Sequence, residues 1–87
     1  MINLEGAYSM RKFTYDASLI ENDNAVVVLF HDLPGCNTQG KDREQAKERA
    51  KEALENWLDT LEHSGVSFPK PSIRNDGKDY VSITAVL

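Results

Sequence analysis

Nine residues in the middle of the chain, Asp32-Leu33-Pro34-Gly35-Cys36-Asn37-Thr38-Gln39-Gly40, separate two kinds of apolar periodicity. Before them lie two extended runs that read as strands; after them begins the one long helical pattern, with apolar residues every third or fourth position. Pro34 cannot donate to a sheet ladder, so a strand arriving from the N-terminal side stops by Asp32 or Leu33. Leu-Pro-Gly makes a turn, Asn37 to Gln39 has room for a short third strand, and Gly40 breaks it. The chain therefore passes from sheet to helix within one short junction, which holds no residue set that does chemistry by itself.

Upstream, Lys12 to Leu19 alternates. Phe13, Tyr15, Ala17 and Leu19 fall on one face and Thr14, Asp16 and Ser18 on the other, the pattern of a half-buried strand. Glu21-Asn22-Asp23-Asn24 is a polar turn of residues that tolerate left-handed geometry. Ala25 to His31 is apolar and β-branched, a second strand covered on at least one face. Two strands with so short a link form an antiparallel hairpin.

Downstream, Asp42 is placed to cap a helix, and Gln45 three residues later completes a capping-box pattern. The helix runs to about His63. Its apolar residues Ala46, Ala50, Ala53, Leu54, Trp57, Leu58 and Leu61 keep to one face, small ones first and large ones last. The N-terminal half can thus lie close to a sheet while Trp57 and the leucines fill the far end. Gly65 ends the helix, and His63 sits where positive charge suits the helix dipole. Val66 to Asp79 is a connector, stiffened by Pro69-Lys70-Pro71 and turned at Asp76-Gly77. Tyr80 to Leu87 alternates again and makes the last strand. The order β-β-β-α-β is an α+β domain: one helix packed on one face of a mostly antiparallel sheet.

At 87 residues the chain has room for one domain with a small core, a size at which pairing with another chain often adds stability. Residues 1–10 are patternless and end on a second methionine, so they read as a flexible lead or remnant, with 11–87 as the domain. A net charge of −4 and a pI near 5.0 lack the basic footprint of a nucleic-acid binder. They suit a basic partner, or simply solubility. With Cys36 as the one cysteine, no intramolecular disulfide forms. The longest apolar run, Ala25 to Phe30, is too short to span a bilayer, and the N-terminus lacks the layout of a signal peptide. No membrane contact is expected, and the cytoplasm is the default compartment.

Asp16, Asp32, Glu48 and Glu52 invite comparison with a two-metal nuclease. Plainer roles cover them: Asp32 precedes a turn, Asp16 is on the polar side of its strand, and the second strand carries no acid within its apolar run. Cys36 and His31 are too few to close a zinc site, and His63 is remote in sequence. Cys36 reads as a small buried residue beside a turn. No catalytic residue, metal ligand or cofactor is expected. Trp57 reads as core, while Tyr15 and Tyr80 suit either core or an exposed sheet edge. On a helical wheel, Glu44, Glu48, Glu52, Glu55, Asp59 and Glu62 fall within a sector of about 80° that holds no basic side chain. Such a sector is either a solvated face or a landing surface for a basic partner, where complementary charge speeds association more than it tightens binding.

Phe13, Tyr15 and Ala17, then Val27-Val28-Leu29-Phe30, the Asp32 to Gly40 string, the Ala46, Ala50, Ala53-Leu54, Trp57-Leu58 helix, Gly65 and Pro69-Lys70-Pro71-Ser72 together resemble the HicB antitoxin family. The resemblance covers roughly Arg11 to Ser72. It implies a β-β-β-α-β fold like a degraded ribonuclease H core. It implies no enzyme but a binder that silences HicA, a small basic ribonuclease with a double-stranded-RNA-binding-like fold and a catalytic histidine. Many members add a C-terminal DNA-binding domain that represses their operon. Here the sequence reaches Leu87 within a strand pattern, so DNA binding is not carried over to these residues.

The expected function is an antitoxin that occludes the active surface of a HicA-type mRNA-cleaving ribonuclease. The alternatives are a metal-dependent nuclease remnant of ribonuclease-H-like fold, or the non-DNA-binding part of an operon repressor. The contact candidates are Asp32, Leu33, Pro34, Gly35, Asn37 and Gln39 on the junction, with Glu44, Glu48, Glu52, Glu55 and Asp59 on the helix. The exposed edges of so small a sheet make a homodimer or higher oligomer by strand pairing the expected assembly.

Overall fold

The computed structural model describes residues 11–72 and 79–87. The sequence expectations for residues 1–10 and for a turn at Asp76-Gly77 lie outside the described residues. Alternation gives β1 (Lys12–Glu21), a continuous apolar run β2 (Val26–Phe30), a short polar run β3 (Asn37–Gly40), helical spacing α1 (Arg43–His63), and alternation again β4 (Tyr80–Val86). The strands form one antiparallel sheet in the order β3-β2-β1-β4. β1 is central and longest, running past the expected Leu19 because Ile20 and Glu21 still pair with Val27 and Val26.

The register sets the core. Ala17 faces Phe30, Leu19 faces Val28, and Tyr15 faces Ile83, so one face of the sheet collects Tyr15, Ala17, Leu19, Val26, Val28, Phe30, Ile83 and Ala85. Ala46, Ala50, Leu54 and Leu58 of α1 cover that face and are fully buried. Each large side chain removed from water in this way contributes about 1.5–3 kcal/mol. The small residues at the start of α1 permit close approach, and Gly40 permits more. Gly40 does not break β3 but ends it, opposite Val26, and a Cβ there would stand 2.5 Å from the Ala46 nitrogen.

Local hydrogen bonds fix both ends of α1. Asp42 Oδ1 accepts from the Gln45 N–H at 2.8 Å. The Gln45 side chain reaches back past the cap residue to accept from the Lys41 N–H, also at 2.8 Å. At the far end Val66 N–H donates to Leu61 O and Gly65 N–H to Glu62 O, with Gly65 at φ +74°, the paired bonding of a glycine-terminated helix. Beyond it the connector is tied back to the sheet. Phe68 meets Phe13 edge-on at 4.9 Å, Tyr15 Oη donates to Pro69 O at 2.5 Å, and Ser72 N–H donates to Asp32 Oδ2 at 2.8 Å. Tyr15 is therefore core, the first of the two placements open to it, and burial followed by the nearby Asp32 carboxylate pushes its hydroxyl pKa up.

Candidate interaction surface

The junction is a pair of tight turns pinned from below. Leu33 N–H donates to Phe30 O, Cys36 N–H to Leu33 O, and Phe30 N–H to Cys36 O, so the chain doubles back on itself. Leu33 is 1% exposed and Cys36 3%. The Leu33 side chain is core rather than surface, a correction to its place among the contact candidates: the fold-back turns it under the exposed Pro34-Gly35. Burial pushes the Cys36 thiol up to about 11, as suits a small apolar filler. Gly35 has φ +97°, and a Cβ on it would stand 3.1 Å from the Trp57 ring. The outer half of the junction thus rests on the half-buried indole. Asp32, held by Ser72, ties the connector down.

Asn37 and Gln39 are exposed and lie on the sheet face away from α1, opposite Leu29 and Val27. Their main chains also form the outer edge of the sheet. The Phe30 to Cys36 bond fixes the ladder phase, so Val28 with Thr38 and Val26 with Gly40 are hydrogen-bonded pairs. The N–H and C=O groups of Asn37 and Gln39 consequently point outward, past the last strand.

The acidic sector divides into tied and untied carboxylates. Glu55 Oε2 accepts from Lys51 Nζ at 3.0 Å and from the Val86 N–H at 3.1 Å; the Val86 bond and then the Lys51 bond hold its carboxyl below the usual value. Glu62 pairs with Arg11 at 2.8 Å, which lowers its pKa. His63 Nδ1 donates to Asp59 O at 2.9 Å and lies 3.4 Å from Asp59 Oδ1, raising the imidazole pKa. Glu44, Glu48 and Glu52 make no hydrogen bond or ion pair among the described residues. Glu48 and Glu52 line a surface groove of about 450 Å³ between β3 and α1, with Thr38, Gln45, Arg49 and Ala53. Of the candidate set only Glu48 and Glu52 line this groove; Asn37 and Gln39 flank Thr38 along β3 with their side chains on the other face, and Glu55 turns toward β4.

The four nuclease-like acids do not converge. Asp16 is buried on the sheet face away from α1 and accepts from Ser82 Oγ at 2.7 Å, whereas Glu48 and Glu52 are exposed on the outer side of α1. Among the described residues no group of three His, Cys, Asp or Glu is placed to hold a metal. His31 bonds Ser18 and meets the Tyr80 ring edge-on at 5.8 Å on the open face, whereas Cys36 is in the core on the other side. Among the described residues no helix is long and apolar enough to cross a membrane.

The model of a family described as "HicB_like antitoxin of bacterial toxin-antitoxin system" matches residues 15–81. The chain belongs to that family. Among solved structures this HicB-like chain is similar to a chain of the "HicA3 and HicB3 toxin-antitoxin complex", with a TM-score of 0.63 and 17% identity over 84% of this chain and 95% of that one. It is also similar to the N-terminal domain of the antitoxin HicB of Burkholderia pseudomallei, with a TM-score of 0.62 and 18% identity over 86% and 95%. At such identity the likeness establishes the fold: one helix on a four-stranded antiparallel sheet. No curated protein matches the chain.

Sequence reasoning missed four ties: Glu55 to Val86, Tyr15 to Pro69, Asp32 to Ser72, and Arg11 to Glu62. Each joins residues at least 31 positions apart, and no local pattern signals them.

Proposed function

We propose that this HicB-like chain binds a small basic HicA-type ribonuclease and silences it by covering the surface that grips RNA. The observation that supports this most directly is the row Glu44, Glu48 and Glu52, left without internal partners beside the β3 groove. A ribonuclease must offer positive charge to an anionic backbone, and an acidic scaffold competes for that charge. Occlusion then needs no chemistry from the antitoxin. Of the contact candidates, Pro34, Gly35, Asn37, Gln39, Glu44, Glu48 and Glu52 remain available, and Asp59 is exposed but pairs with His63. Asp32 and Glu55 serve the fold.

The test is co-expression with a small basic HicA-type ribonuclease. The two are expected to co-purify, and growth arrested by the ribonuclease is expected to resume. A folded chain that neither binds nor rescues would refute the reading. Incubating the purified chain with RNA and magnesium or manganese tests the nuclease alternative, and no cleavage is expected.

A further inference from the structure

The sheet has two outer edges, β3 and β4, and they are not equivalent. At β4, Val86 turns its N–H away from β1, as the Arg11 to Leu87 bond pair dictates, and Glu55 already occupies that N–H at 3.1 Å. The main-chain groups of Ser82 and Thr84 face outward in the same phase, so what sets β3 apart is the groove beside it. At β3, the outward main-chain groups of Asn37 and Gln39 meet no donor or acceptor among the described residues. Beside them runs the groove lined by Thr38, Glu48 and Glu52. An edge with unpaired main-chain groups is a template for another strand. We propose that β3 takes up a strand of a basic partner as a fifth strand of this sheet, with that strand's basic side chains lying against Glu48 and Glu52. This rests on the antitoxin reading and names the surface that reading leaves open.

Charge decides what the incoming strand is. A second copy of this chain, added antiparallel at β3, would carry its own helix on the same face. Glu48 and Glu52 of the two copies would then confront each other across the seam, with Arg49 the one cation lining that groove among the described residues. Like charges so placed disfavour self-pairing. A basic strand meets the same carboxylates with the opposite sign. Lys41 and Arg49 line the hollow at the Gly40 end, so the attraction is strongest toward Asn37.

Proline tests the edge selectively, because the Gln39 N–H is not used in the ladder and an outward N–H is where an edge strand tolerates proline. Gln39→Pro, and Asn37→Pro as a second variant, are expected to keep the wild-type circular dichroism. Each is expected to weaken binding of a small basic HicA-type ribonuclease by about tenfold or more. In the wild-type complex, hydrogen exchange at the Asn37 and Gln39 amides is expected to slow sharply while that of Thr84 is unchanged. Glu48→Lys with Glu52→Lys is expected to slow association at low salt, with the difference shrinking as salt rises. The proposal is overturned if the ribonuclease binds the wild type while those two amides exchange as in the free chain, or if a folded proline variant binds equally well. It is overturned too by a wild-type self-dimer that Gln39→Pro dissolves. A wild type that binds no ribonuclease at all refutes the antitoxin reading, and the edge proposal with it.

Discussion

At the scale of single residues, Gly35 carries the tightest constraint. Its φ of +97° belongs to the region that side-chain-bearing residues rarely occupy, and the Trp57 ring fills the space where a Cβ would go. Gly35→Ala is expected to destabilise the domain by about 1–3 kcal/mol and to shift the tryptophan fluorescence, both read in a urea titration. Tyr15→Phe removes the donor to Pro69 O while keeping the ring, and is expected to cost about 0.5–1.5 kcal/mol. Cys36 gives a pH signature. Its folded thiol titrates near 11 against an ordinary 9.0, so the unfolded chain loses that proton first and stability falls as pH rises beyond 9.0. At pH 8 the folded thiol is expected to resist alkylation until denaturant is added, as mass spectrometry would report.

At the scale of elements, the helix and strands were legible because their signals are local. Alternation in Phe13, Tyr15, Ala17 and Leu19 assigned the buried face of β1 correctly, and Asp42 with Gln45 marked the start of α1. Gly40 was misread because a glycine after a short polar run signals a break, whereas here its missing side chain admits Ala46. Leu33 was misread for a similar reason: it belongs to a turn, and nothing in a turn sequence tells which side folds inward. The division of the acidic sector was illegible as well. The helical wheel groups Glu55 with its neighbours, yet only the placing of β4 beside α1 separates it from them. That tie has a testable consequence. Glu55 is held below the ordinary value of 4.5, so its contribution is present above that pH and is lost as pH falls through the lower folded value. Glu55→Ala is expected to flatten the acid limb of a stability–pH profile and to leave the alkaline limb alone. Leu54→Ala, fully buried at the centre of α1, is expected to cost about 2–5 kcal/mol in the same assay.

At the scale of the whole molecule, charge and topology divide the labour. On the antitoxin proposal, the net charge of −4 would draw a cationic partner from any direction, while the β3 edge and its groove would select an orientation. Ionic strength should separate the two contributions: raising salt is expected to slow complex formation more than it hastens dissociation, a contrast stopped-flow mixing can resolve. Finally, Arg11 and Leu87 exchange both main-chain hydrogen bonds, at 3.0 and 2.8 Å, which brings these two positions side by side. They meet between β1 and β4, across the sheet from β3. A short peptide could therefore join these positions and new termini be opened in the Asn22–Asn24 turn, giving a circularly permuted protein that keeps the same β3 edge. A dye attached at a cysteine placed at Leu87 would likewise hang from the corner remote from the β3 edge, ready to report an event there without standing in its way.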